Sequence, residues 1–237
     1  MSGHSHWAGI KHRKGLNDAK RAQVFTKLAK PIVIAARVGG GNPDANFKLR
    51  LAIDKAHEFN MPKENIDRAI ARGTGELKGE AITEMIYEAM GPAGIMMLIK
   101  ATTDNKNRTV SEIKNILTKA GAKFSETGSV MWNFEPAGVI CVDFSNQNKD
   151  QLELLAIDAG AKDIKIEEDT INIFTNPKDL WKVQDTIRAK GIKISDFGLI
   201  YLPKSTVKID GPTRLAYEKL LEQLDEQDDV EEIYDNL

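Results

Sequence analysis

The residues with the clearest chemical potential are cationic side chains gathered at the start of the chain, with one indole ring among them. Ammonium and guanidinium groups bind phosphates favourably because each contact releases condensed counterions. Trp7 and His12 add a stacking ring and an imidazole, which suit an unstacked base or a sugar. We therefore predict a nucleic-acid-binding segment whose phosphate contacts come from Lys11, Arg13, Lys14, Lys20, Arg21, Lys27 and Lys30.

The basic character is confined to the first third of the chain. Residues 1–75 hold 14 Lys and Arg against 6 Asp and Glu, whereas the remaining 162 residues hold 19 against 29. A solvated helix face is the alternative explanation, but such faces mix signs, and residues 1–37 contain one acid, Asp18. A cation field at one end is typical of a protein that binds a polyanion. Four later cations of this part are second-rank candidates for phosphate contact: Arg50, Lys55, Arg68 and Arg72.

A second group of polar residues lies between a predicted strand and a predicted helix, at 103–109. Helix capping and turn chemistry explain much of this composition, with Asn107 or Arg108 directly before the helix. Lys106 and Arg108 could also hold an anion beside the free N–H groups of the helix start. Both interpretations stay open, and we treat this pair as a secondary anion contact.

No motif indicates catalysis, a cofactor or a metal. His4, His6 and His12 lack a fourth ligand at useful spacing, and Cys141 lies in an apolar strand pattern where a thiol is more often core than nucleophile. The run Gly39–Gly41 has no preceding strand and no following Lys-Ser/Thr, so it is not a phosphate loop. We expect this run and Gly73–Gly75 to be helix stops. The sequence therefore predicts a protein that is not an enzyme, with no catalytic residue, no cofactor and no bound metal.

The basic part has the periodicity of three helices over residues 16–73. The first begins near Asp18, and Pro31 is expected to end or kink it. A second helix is predicted from Asp44 to Phe59, and a third from Pro62 to Gly73.

The acidic part alternates strands and helices. Strands are predicted at 81–90, 95–103 and 130–134, with a helix at 109–120 and a break at 136–138. Residues 139–202 follow the order β-α-β-β-α-β, which is ferredoxin-like. A strand at 206–209, a helix at 212–225 and a strand at 230–234 are too few for a separate core, so they return to the earlier sheet. The fold class is thus α+β and multidomain, with domains at 1–76, at 77–134 plus 204–237, and an inserted one at 135–203.

Several blocks in fixed order resemble the YebC/PmpR family, which includes the mitochondrial translational activator of cytochrome c oxidase subunit I. The blocks are GHSHWAGIKHRKGLNDAKRAQVFTKLAK, GGGNPDANFKLRLAIDKA, NMPKENIDRAI, TDNKNRTV, GSVMWNF and DDVEEIY. The resemblance implies a helical N-terminal domain and two α+β domains, one inserted in the other. It also implies either DNA binding through the basic region or association with the ribosome. The sequence departs from the family pattern at His6, Pro31 and residues 89–93.

The combined hypothesis is a cytoplasmic, non-enzymatic regulator of gene expression that binds nucleic acid. The first form is a DNA-binding transcriptional regulator. The alternative is a ribosome-associated translation factor that binds ribosomal RNA and aids synthesis of proline-rich stretches. We expect no membrane association, because no apolar run approaches the roughly 18 residues that a bilayer span needs. Protein partners are not indicated.

Overall fold

The computed structural model describes residues 18–78, 81–143, 149–167 and 170–237, with side chains from Val24 onward. Contacts between residues group the chain into two units, Met1–Trp132 with Ser205–Leu237, and Asn133–Lys204. The helices are α1 (Asp18–Gly39), α2 (Phe47–Glu58), α3 (Lys63–Thr74), α4 (Lys106–Lys119), α5 (Lys149–Ala159), α6 (Leu180–Ala189) and α7 (Gly211–Glu226). The strands are β1 (Thr83–Met90), β2 (Met96–Thr103), β3 (Lys123–Ser125), β4 (Phe134–Asp143), β5 (Asp163–Glu167), β6 (Thr170–Thr175), β7 (Ile194–Pro203) and β8 (Val230–Asp235).

The first three helices share one apolar core. Ile32, Ala36, Leu49 and Ile66 are all buried in it. Asn46 ties the end of α1 to the start of α2: its amide nitrogen donates to the carbonyl oxygens of residues 35 and 40, both at 2.7 Å, and its oxygen caps the first turn of α2. The tight connection follows from this single buried amide.

Of the two effects expected of Pro31, the end of α1 is wrong, because the helix continues to Gly39, and the kink stays a prediction. Proline removes one backbone hydrogen bond and normally destabilises a helix interior. The residues after it, Ile32, Val33 and Ala36, are buried against the other two helices. This burial outweighs the missing hydrogen bond.

The expected helix stop at Gly73–Gly75 is confirmed, but Gly75 provides it and not Gly73. The helix ends at Thr74, and Gly75 provides the left-handed cap with φ 85°. Gly73 is buried inside the helix, where a Cβ would lie 2.5 Å from the Val33 carbonyl oxygen and 2.6 Å from the Ala36 Cβ. Glycine is required here because α1 and α3 touch through their backbones.

The rest of the first unit is an antiparallel sheet in the order β3-β1-β2-β8. Helices α4 and α7 pack on it through one core that contains Ile99, Ile113, Leu117, Tyr217 and Leu224. The return of the C-terminal helix and strand to this sheet is as the sequence predicted. The short strand β3 was not predicted, and the described residues 206–209 form no strand.

The predicted strand at 130–134 is instead a 3-10 turn (Met131–Asn133) followed by β4. The cause is Glu88, a buried carboxylate that accepts the backbone N–H groups of Gly128 (2.5 Å), Val130 (2.6 Å) and Met131 (3.0 Å). Burial alone would raise the pKa of Glu88, but these three donors lower it. The loop therefore bonds to a side chain and not to a neighbouring strand.

The second unit is an antiparallel sheet in the order β5-β6-β4-β7, with the chain order β-α-β-β-α-β that the sequence predicted. The expected break at 136–138 is absent, since β4 runs from Phe134 to Asp143. Strand β6 pairs only from Gly138 onward, so Pro136 is paired on one side, with β7. A proline is tolerated there because it lies where the strand is locally an edge.

The predicted fold class, helices followed by two α+β parts with the ferredoxin-like part inserted, is confirmed. The three exact domain boundaries stay a prediction. Within the described ranges, no helix combines the length and the apolar character that crossing a bilayer requires.

Replacing Gly73 with Ala should lower the free energy of unfolding by about 1–3 kcal/mol, because the new methyl group overpacks the contact between α1 and α3. Chemical denaturation measures the change. The matched control is Gly211→Ala, where a Cβ meets open space and φ needs no glycine. Equal stability of the two variants would contradict the close approach at Gly73.

Candidate nucleic-acid interface

A buried carboxylate, Asp229, joins three elements of the first unit. It lies in the turn between α7 and β8 with its side chain 3% exposed. Its Oδ1 lies 2.7 Å from the Lys30 Nζ on α1, and its Oδ2 lies 3.0 Å from an Arg108 Nη on α4. The Thr109 hydroxyl donates to the same Oδ2 at 2.7 Å. One anion thus connects α1, α4 and the β8 turn.

The electrostatics of this site favour the ionised carboxylate. Burial alone would raise the pKa of Asp229. The hydrogen bond from Lys30 opposes burial, followed by those from Thr109 and Arg108, and together they hold the pKa well below its usual range. The Gln227 side-chain oxygen accepts the Asp229 and Val230 backbone N–H groups and so fixes the turn that presents the carboxylate. The site is therefore a built ion-pair network and not a surface contact.

Two predicted phosphate ligands on α1 face this acidic turn. Lys27 donates to the Asp225 carbonyl oxygen at 2.5 Å. Lys30, with a side chain 13% exposed, donates to the Asp228 carbonyl oxygen at 2.9 Å as well as to Asp229. Both ammonium groups are thus bonded to the C-terminal segment of the chain. A phosphate would have to displace these partners before it could bind either lysine.

A third predicted ligand, Lys55 on α2, lies 3.9 Å from a Glu232 carboxylate oxygen. Glu232 also lies 3.6 Å from Lys100, whose pKa is raised chiefly by that carboxylate. Lys100 in turn lies 3.8 Å from Glu231, yet burial dominates there and raises the pKa of Glu231 to about 7. The acidic strand β8 therefore neutralises the inward cations of α2 and β2.

Lys106 and Arg108, the predicted secondary anion contact, have different surroundings in the structure. Helix α4 begins at Lys106, and its cap is the Asn105 side chain, which accepts the Arg108 N–H at 3.1 Å. Arg108 bonds to Asp104 at 2.9 Å and to Asp229. Lys106 is exposed. The carboxylate of Asp229 thus already pairs with the Arg108 guanidinium that the sequence predicted for an external anion.

Two of the predicted phosphate ligands, both on α3, face outward. Arg68 and Arg72 are both exposed. Neither side chain forms a hydrogen bond or an ion pair with a residue that the structure describes. Arg72 lines a surface pocket of about 570 Å³ together with Arg37, which was not among the predicted ligands. The glycine contact between α1 and α3 brings these two arginines together. Arg37 also donates to the Ile82 carbonyl oxygen.

Arg50 has a local role. Its guanidinium donates to the carbonyl oxygens of Pro43 (3.1 Å) and Asp44 (2.8 Å) and so braces the loop before α2. Lys20 and Arg21 lie in α1, but their side chains are outside the described ones. The remaining predicted ligands also lie outside the described residues: Trp7, Lys11, His12, Arg13 and Lys14.

The sequence could not show that Lys27, Lys30 and Lys55 bond to other parts of the protein, because their partners lie about 200 positions later in the chain. Lys30 and Asp229 are separated by 199 positions. A signal was present: nine acids and one lysine follow position 217, a charge run opposite in sign to the basic helices. That run indicated shielding in general, but no spacing rule pairs a particular acid with a particular lysine.

Replacing Asp229 with Asn should lower the free energy of unfolding at neutral pH by about 3 kcal/mol, since two cations lose a buried partner. The exposed variant Glu222→Gln on α7 is the control and should change little. Urea denaturation of both variants measures the difference.

The same variant has a defined pH dependence. Because the folded-state pKa of Asp229 is depressed, its contribution is present above the unfolded value of 3.8 and disappears as the pH falls toward the folded value. The stability gap between the natural chain and Asp229→Asn should be constant above about pH 5 and should shrink below pH 4. A gap that is independent of pH would contradict an ionised, ion-paired carboxylate.

Comparison with known proteins agrees with this architecture along the whole chain. The family model for the TACO1/YebC protein N-terminal domain matches residues 5–76, and the model for the TACO1/YebC second and third domain matches residues 82–237. A "probable transcriptional regulatory protein" of Dictyoglomus turgidum is 47% identical over 237 residues, which is 100% of this chain and 95% of the relative. One from Dehalococcoides mccartyi is 47% identical over 236 residues, covering 100% and 94%.

A solved structure shares the fold as well. The crystal structure of a conserved hypothetical protein from Aquifex aeolicus is similar with a TM-score of 0.89 and 42% identity, covering 98% of this chain and 96% of that one. Both family models, in chain order, account for nearly every residue. This chain therefore belongs to the TACO1/YebC family.

Proposed function

We propose that this chain is a nucleic-acid-binding regulator of gene expression, in the first instance a DNA-binding transcriptional regulator. The observation that carries the proposal is the division of its cations. Lys27, Lys30 and Lys55 are held by the chain's own acidic segment, whereas Arg68 and Arg72 face outward. Outward cations without an internal partner are available to phosphates. The names of the relatives, probable transcriptional regulatory proteins, support regulation of gene expression.

The proposed interface consists of the exposed arginines and the basic segment that begins the chain. Lys11, Arg13, Lys14, Lys20 and Arg21 add five cations at 11–21, with Trp7 and His12 as base or sugar contacts. The rest of the chain, with its excess of acids, repels phosphate and so orients binding toward the helices. The mechanism is recognition by binding, in the cytoplasm, with no chemical step.

Salt dependence tests the proposal. Replacing both Arg68 and Arg72 with Gln should make the slope of log affinity against log salt shallower by about 0.9 for each phosphate that the variant no longer binds. The control, Lys182→Gln with Lys190→Gln, removes the same charge from exposed positions in the second unit. Fluorescence anisotropy with a DNA duplex measures both slopes. An unchanged slope in the arginine variant would refute phosphate binding by α3.

The alternative target is ribosomal RNA, and one observation favours it. A helix that reads base edges in a major groove presents Asn, Gln or Arg from its first turn. Asn46, at the start of α2, is buried and bonded to the backbone. The first turn of α3 holds exposed Lys63 and Glu64 and a single half-buried amide, Asn65, so neither α2 nor α3 presents a cluster of base-reading side chains. Readout of backbone shape, which suits folded RNA, needs no such cluster.

Crosslinking in cells followed by sequencing of the bound nucleic acid separates the two targets. A discrete set of promoter fragments is the expected result for a transcriptional regulator. Sequencing reads dominated by ribosomal RNA would refute the transcriptional regulator and support the ribosome-associated translation factor. Crosslinks to neither would refute nucleic-acid binding altogether.

A further inference from the structure

Helix α5 of the second unit exposes two aliphatic side chains on its outer face. Leu154 is 63% exposed and Ile157 is 56% exposed, one helical turn apart. The inner face of the same helix buries Leu152, Ala156 and Ala159. The helix therefore carries an exposed apolar pair opposite its buried residues, on an outer face that is otherwise polar.

The neighbouring helix α6 shows that this layer does not require an apolar outer face. It buries Leu180, Val183 and Ile187, and at the corresponding outer positions it exposes Lys182 and Asp185. The two helices pack against one another, and α6 also packs on β4 and β7 of the sheet. Folding of the unit thus accounts for the inner residues of α5, but it gives no reason for Leu154 and Ile157.

Acidic side chains surround the exposed pair. Asp150 lies four positions before Leu154 and Asp158 four after, so both share its face of the helix, and Glu153 lies four before Ile157. Asp150 and Asp158 are exposed, and Glu153 is half-buried. Within the described ranges, Glu153 and Asp158 have no ion pair with a lysine or arginine. Lys149, also exposed, lies four positions before Glu153, so three acids and one lysine border the apolar centre and the rim is net negative.

The charges around Leu154 and Ile157 distinguish between the possible binding partners of this surface. A second copy in a two-fold dimer would place the same acids against one another. Nucleic acid and anionic lipid surfaces carry phosphates, which the carboxylates repel. A protein segment with aliphatic residues flanked by Lys or Arg matches both the centre and the rim.

We propose that Leu154 and Ile157 form the centre of a docking site for a basic amphipathic segment of a partner protein. Two acids of the rim, Glu153 and Asp158, pair with the partner's cations. This site goes beyond the proposed binding of nucleic acid, because it lies in the inserted unit and not in the basic helices. It gives the inserted unit a role as an adaptor.

Site-specific photocrosslinking in cells tests the site. A photoreactive phenylalanine derivative replaces Leu154 in the full chain, and the same replacement at exposed Lys182 on α6 is the matched control. The expected result is a crosslink, absent from the control, that maps to a partner peptide with net positive charge and aliphatic residues. A crosslink to a second copy of this chain, to nucleic acid or to an acidic peptide would overturn the proposal, as would none above the control.

A second reporter keeps the test independent of the substitution at position 154. The photoreactive residue is placed at Gln151, with and without Leu154→Ser and Ile157→Ser. Truncating the centre of an interface should reduce the crosslink at least about tenfold, while thermal unfolding stays unchanged because both side chains are exposed. An unchanged crosslink would contradict an apolar anchor, whatever the outcome of the nucleic-acid experiments.

Discussion

The ion pair between Lys30 and Asp229 is the interaction on which the arrangement of the first unit depends. A carboxylate that is almost fully buried is costly unless cations and hydrogen bonds surround it. Asp229 meets this requirement with Lys30 from α1 and with Arg108 and Thr109 from α4. Removing any one of these groups would leave the others partly unpaired. The network therefore fixes how the helical part packs against the first sheet.

This constraint changes the meaning of the charge asymmetry along the sequence. The acidic excess after residue 75 is more than a repulsive surface, since part of it neutralises lysines of the basic helices. Lys27, Lys30 and Lys55 serve the fold, whereas Arg68 and Arg72 remain directed outward. A count of cations therefore overstates the phosphate-binding surface, and the position of each cation decides its role.

Periodicity was sufficient to predict most helices and strands, because apolar spacing directly reflects which face is buried. It failed where a distant contact overrides a local rule. Pro31 stays inside a helix because its neighbours are buried, and Gly73 is an interhelical contact and not a stop. Glu88 converts a predicted strand into a side-chain-bonded loop. The candidate site was predicted by composition alone, and the partner of Lys30, 199 positions away, has no local signal.

Lysine labelling followed by mass spectrometry tests the division of cations most directly. The full chain is acylated with and without a nucleic-acid duplex, and the rate at each lysine is compared. We predict slow labelling of Lys30 in both states, and protection of Lys11, Lys14 and Lys20 only when nucleic acid is present. Labelling of free Lys30 as fast as exposed Lys182, or equal protection of both groups by nucleic acid, would contradict the division into internal and phosphate-binding cations.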